Sequence, residues 1–169
     1  LAYDADSRDA RRAVSDLSEI AEQFADQAVT IAIMDVTGST EKAAMREEAA
    51  EEDIPFRILM DETQLVTAEL GITLAAEVVV IDPEAREVIY RGALSSRHAE
   101  GSRSERREGS YLTEALTSVF SGTEMSGNQL ASKGDEIDFS AKTAIESSVS
   151  YAADIAPILE QRCVTCHQE

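Results

Sequence analysis

Apolar positions in "DARRAVSDLSEIAEQFAD" fall at Val14, Leu17, Ile20, Ala21 and Phe24, with Asp and Arg on the other side. That repeat predicts an amphipathic helix over residues 9–25. The run "AVTIAIMDV" (28–36) is continuously apolar and rich in β-branched residues, which predicts a strand buried on both faces. "GSTEKAAMREEAAEED" offers Ser39 or Thr40 as N-cap of a second helix reaching about Glu52. A short strand, "IPFRILMD", and a helix, "ETQLVTAELG", stopped by Gly71, follow. "EVVVIDPEAREVIYRG" predicts two strands, 77–81 and 87–91, about an Asp82-Pro83 turn. "YLTEALTSVFSG" predicts one more helix, ended by Gly122.

Strand and helix therefore alternate until the hairpin closes the series. Such an order implies crossover units, hence an α/β fold with a mainly parallel sheet covered on both faces and a terminal antiparallel hairpin. Residues 95–110, "SSRHAEGSRSERREGS", are charged and rich in Ser and Gly, and read as an exposed loop. Residues 123–149 are polar and weakly periodic, and read as a linker. "SYAADIAPILEQR" opens a new helix with Ile155, Ile158 and Leu159 on one face and Pro157 near its start. The chain begins at Leu1 within what reads as an element already under way, so the first strand is expected to be clipped.

Charge narrows the partners. Among 169 residues, Lys+Arg number 15 and Asp+Glu 33, a net charge of -18. Nucleic-acid binding needs clustered cations, so it is excluded as an expectation. A basic redox partner drawn in by long-range attraction suits the balance, as does a solvated acidic surface with no partner. No run approaches the ~18 apolar residues of a membrane span.

The only two cysteines, Cys163 and Cys166, stand with His167 in "CVTCH" close to the last residue. C-x-x-C-H reads as a c-type haem attachment site. Two thiols that far apart can add to the two vinyl groups of one porphyrin, and the adjacent imidazole can supply an axial nitrogen. Three other readings stay open. A zinc site would need a fourth ligand, and the one other histidine, His98, lies far off in sequence. A redox C-x-x-C is usually set at a strand-to-helix turn. The pair could also be inert.

Two resemblances sharpen the expectations. "DETQLVTAELGIT" followed by "VVVIDPEAREVIYRGAL" resembles the thioredoxin-like redoxins of the peroxiredoxin and thiol-peroxidase type, over roughly residues 1–139. The resemblance implies a three-layer sandwich whose reactive cysteine opens the first helix, where the helix N-terminus lowers its pKa. In "YDADSRDARRA" that position falls on Ser7, which reads first as an N-cap. Where the family carries a proline in a cis peptide this chain has Ala76; a non-proline cis bond costs about 2.5–4 kcal/mol, so a trans peptide is expected. Many relatives carry "GC" after the last helix, and here Gly134-Asp135 stands instead. Thiol catalysis is therefore not expected, and no catalytic residue is assigned.

The second resemblance covers "SYAADIAPILEQRCVTCHQE", which is similar to the opening of a cytochrome c domain. It implies haem c bonded covalently to Cys163 and Cys166, with His167 on the iron, and a periplasmic or exported bacterial protein. The expected organisation is a redoxin domain over 1–122, a linker over 123–149 and the start of a cytochrome c domain over 150–169, whose pocket would lie beyond the last residue. The expected role is electron transfer to or from a redox partner protein, with the redoxin half as scaffold. The alternatives are an interaction module without haem and, last, a thiol-dependent peroxidase or oxidoreductase.

Overall fold

The computed structural model describes residues 1–100, 110–123, 130–148 and 150–162. Strands β1 (Ala2–Tyr3), β2 (Ala32–Asp35) and β3 (Arg57–Met60) form a parallel sheet in the order β1-β2-β3. Strands β4 (Val78–Asp82) and β5 (Glu87–Gly92) form an antiparallel hairpin. Ala2 ties the two together: its N–H donates to the Glu77 carbonyl (2.8 Å) and its carbonyl accepts from the Ala76 N–H (2.9 Å). The chain is thus a mixed α/β protein with a small parallel sheet and an antiparallel hairpin.

Helix α1 (Arg8–Gln23) carries the expected stripe, with Ala10, Ala13, Val14, Leu17 and Ile20 buried. Burying Leu17 and Ile20 contributes about 1.5–3 kcal/mol each. Both pack with Val78 and Tyr90 of the hairpin and with Leu112 and Leu116 of α4 (Tyr111–Ser121). Strand alternation then sorts the faces. Tyr3 and Ile33 join Ala10, Ala13 and Val14, whereas Ala2 and Val36 join Ile72 and, at the margin, Met34, Val79 and Ile137.

Helices α2 (Lys42–Glu51) and α3 (Leu65–Glu69) link successive strands as expected. Neither Ser39 nor Thr40 caps α2, however. Its N-cap is Glu41, without a side-chain bond. The Thr40 hydroxyl lies 2.7 Å from that of Thr37 and 3.4 Å from Oδ1 of Asp35, so a buried carboxylate has claimed it. The strand expected over 28–36 shrinks to Ala32–Asp35, because residues 28–31 face no neighbouring strand.

Two stretches read as loop and linker are built into the fold. Ser95, Ser96, His98 and Ala99 are buried, through a 3-10 turn at Ser96–His98 and an antiparallel bridge between Ala99 and Ser132. The rest of that expected loop, 101–109, lies outside the described residues. Within 123–149, a second bridge joins Glu136 to Leu74, and helix α5 spans Ser140–Ser148. Beyond it come one wide π-type turn, Tyr151–Ile155, and helix α6 (Ala156–Arg162). Pro157 accounts for the wide turn: it has no N–H to give and its ring crowds the carbonyl four residues back.

Candidate functional site

Of the positions that the redoxin resemblance singled out, Ser7 and Ala76 are buried, and Gly134-Asp135 packs against the loop that holds Ala76. Ser7 opens α1 with extended backbone (φ -80°, ψ 116°), and its hydroxyl accepts from the Ala10 N–H at 3.4 Å. It is 1% exposed. Ala75 and Ala76 are buried in the same cluster as Ala10. No cis peptide occurs among the described residues, and Ala76 adopts φ +67°. A non-glycine residue there carries a cost of about 1–2 kcal/mol, held in place by the Ala76 N–H to Ala2 bond and by the Ser132 hydroxyl donating to the Ala76 carbonyl (3.0 Å).

Gly134-Asp135 lies against this same loop. The Ala75 N–H donates to the Asp135 carbonyl (2.9 Å), and the Ile137 N–H to the Thr73 carbonyl (3.0 Å). A Cβ on Gly134 would fall 1.8 Å from the Ala75 carbonyl oxygen, so only glycine permits the approach. Residues 130–137 therefore cover loop 73–76 with the protein's own backbone. Both cysteines lie downstream of this region in the sequence, outside the described residues.

The next span of chain is fastened by Gln64, which sequence reasoning did not single out. Fully buried and left-handed (φ +54°), Gln64 donates from Nε2 to the carbonyls of Val36 (2.8 Å), Thr37 (3.3 Å) and Asp138 (2.6 Å). Its Oε1 accepts from the N–H groups of Ala141 (3.1 Å) and Lys142 (3.3 Å). An amide alone among side chains offers two N–H donors and a carbonyl from one planar group. Gln64 thus accepts from two N–H groups in the first turn of α5, beside the local Asp138 carboxylate, which accepts from the Ser140 N–H at 3.0 Å.

Other buried polar groups are structural. Asp61 accepts from the backbone N–H (2.7 Å) and hydroxyl (2.6 Å) of Thr67, starting α3. Burial pushes the Asp35 carboxyl above its ordinary range, against the opposing pull of hydrogen bonds from Thr37 and Thr40. His98 Nε2 lies 2.9 Å from Asp16, which also faces Arg97 at 3.3 Å.

Cys163, Cys166 and His167 lie outside the described residues. The segment leading to them is described. Ser150 accepts from the Ala153 N–H (3.4 Å), while Asp154 accepts from the Ser150 N–H (2.7 Å), a reciprocal cap. Tyr151 is 69% exposed, Ile158 57%, Leu159 40% and Ile155 38%. Positions 155, 158 and 159 share one helical face, and that face is uncovered immediately before the motif. No helix among the described residues is long and apolar enough to cross a membrane.

Fold and site together define a mixed α/β unit whose loop 73–76 is covered by residues 130–137, followed by a helix that ends immediately before C-x-x-C-H in the sequence. No family model and no curated protein matches the chain. Among solved structures it is similar to a hypothetical protein from Sinorhizobium meliloti 1021, with a TM-score of 0.68 and 19% identity over 83% of this chain and 78% of that one. It is also similar to an uncharacterized conserved protein from Geobacillus kaustophilus, with a TM-score of 0.58 and 18% identity over 73% and 68%. At these identities the likeness is one of fold.

Proposed function

We propose that the protein carries electrons through a covalently attached haem c, with a thioredoxin-like unit that has lost its thiol chemistry acting as scaffold. Cys163 and Cys166 would hold the haem through two thioether bonds, and His167 would ligate its iron. The observation that carries the reading is the pairing of this donor set with the helix before it. Helix α6 leads directly into the motif, and the exposed apolar face formed by Ile155, Ile158 and Leu159 suits packing against a macrocycle. When bound, the haem supplies one-electron exchange at iron. The chain's own residues bond it, ligate it and cover part of its apolar surface.

The scaffold half of the reading is supported by the burial of Ser7, by the left-handed Ala76 and by the covering of loop 73–76. The net charge of -18 favours a basic redox partner, and haem attachment of this kind implies a periplasmic or exported protein. Co-expression with a haem c maturation system, followed by a denaturing gel stained for haem, tests the proposal. A stained band that disappears in the C163S/C166S variant is the expected result. A chain that stays haem-free would refute it and favour an interaction module.

A further inference from the structure

We propose that the cleft between helix α1 and the turn at Ser96–His98 binds a small anion bearing a phosphoryl group, held by Arg12 and Arg97. Asp9, Arg12, Ser15 and Asp16 line it from α1, and Arg97 and His98 from the turn, around a volume of about 350 Å³. That is room for a small ligand. Positions 9, 12 and 16 recur at three and four residues along α1, so they share one helical face and form one wall. The opposite wall is fixed by His98, which is 5% exposed and sets Nε2 2.9 Å from Oδ2 of Asp16. The His98 backbone is held as well, its N–H donating to the Ser95 carbonyl (3.0 Å) and its carbonyl accepting from the Lys133 N–H (2.6 Å). Both walls are thus in place before any ligand arrives, which keeps the ordering cost of binding low.

Charge selects the ligand. The chain as a whole carries -18, yet here Arg12, Arg97 and Lys133 stand against Asp9 and Asp16, with Lys133 Nζ 3.5 Å from the Arg97 carbonyl beside the turn. The ion pairs are loose. Arg12 lies 3.8 Å from Asp9 and Arg97 3.3 Å from Asp16, and the two guanidinium side chains are 56% and 70% exposed. Pairs this open contribute about 0–1 kcal/mol, so an anion that takes over the guanidinium N–H groups displaces little. Each guanidinium presents its donors as a planar fork that matches oxyanions. One fork suffices for a planar carboxylate. Two forks from separate walls, with the Ser15 hydroxyl on the same lining, suit a tetrahedral group whose oxygens point several ways. This inference is independent of the haem reading.

NMR titration of the full isotope-labelled chain, following the arginine Nε–H signals, tests it with inorganic phosphate, glycerol phosphate and acetate at matched ionic strength. The Arg12 and Arg97 signals should shift together and saturate with either phosphate, at a Kd of about 1 mM, and acetate should bind at least about ten-fold more weakly. Tighter binding of glycerol phosphate than of phosphate would assign the cleft to a phosphorylated small molecule, and equal binding to the free ion; both uphold the proposal. Arg12→Gln and Arg97→Gln change exposed side chains, so each should fold as the parent does and weaken binding at least about ten-fold. Arg46→Gln, on the exposed side of α2, should leave binding unchanged. Phosphate shifts that never saturate, or that appear equally at Arg46, would overturn the proposal. So would acetate binding as tightly as phosphate.

Discussion

Replacing Gln64 with alanine removes a side chain that joins the loop after β2 to the start of α5. The backbone term nearly cancels, because glutamine and alanine tolerate φ +54° about equally poorly. What remains is polar. The carbonyls of Val36 and Asp138 and the N–H groups of Ala141 and Lys142 lose their bonds to Gln64. A buried polar group left without a partner costs about 1–3 kcal/mol. Here α5 can lift away and let water in, which spares part of that cost, so Gln64→Ala should destabilise by about 2–4 kcal/mol. Gln64→Glu should cost at least as much, since it keeps the acceptor for α5 yet sets a carboxylate against three carbonyls. Urea unfolding gives the loss, and amide exchange over Ser140–Ser148 shows where it falls. A loss under 1 kcal/mol, or α5 amides protected as in the parent, would refute the assignment of Gln64 as the clamp.

Ala76→Gly should stabilise the protein by about 1 kcal/mol by relieving φ +67°, whereas Ala76→Pro should destabilise it by about 3 kcal/mol or more, losing the bond to Ala2 as well; thermal unfolding measures both, and a neutral proline would contradict the left-handed loop. Ser7→Cys in the C163S/C166S background should react with a disulfide reagent at least about ten-fold slower in the native state than in urea, because the position is 1% exposed; rapid native reaction would mean the site is open. The Leu1 ammonium has a pKa of about 6 in the fold against 8.0 unfolded. Between these values the unfolded chain binds more protons, so stability should rise with pH from 6 to 8 by about 2 kcal/mol and be lost as pH falls; the slope should vanish on Nα-acetylation, and a slope that survives would assign it elsewhere.

The elements legible in the sequence are those whose own side chains carry the pattern. Helix α1 spaces Val14, Leu17 and Ile20 for one face, and the hairpin announces itself through Val78–Val80 and Asp82-Pro83. The Asp82 carboxylate indeed accepts from the N–H groups of Glu84 and Ala85 and holds that turn. What escaped the reading depends on partners distant in the chain. Gln64 sits in a helix-like string, and nothing local shows that it bonds to groups 27 to 78 residues away. Residues 130–137 dock through backbone bonds, which leave no hydrophobic period; Gly134 is their only trace. His98 was hidden by its polar neighbours, although a buried contact with Asp16 fixes it. The run 28–36 was read correctly as apolar, but only part of it finds a strand to pair with. Of the site, the loop positions Ser7, Ala76 and Gly134 were named in advance, while the covering of that loop was not.

The central claim is a covalent bond between haem and the two cysteines. Intact mass spectrometry of the full chain, matured in bacteria that carry the haem c attachment machinery, measures it most directly. The account predicts a gain of one haem, mapped to the peptide that contains Cys163, Cys166 and His167 and absent when both cysteines are serine. An unmodified mass under conditions that mature a control cytochrome, or a haem that washes away on denaturation, would contradict it.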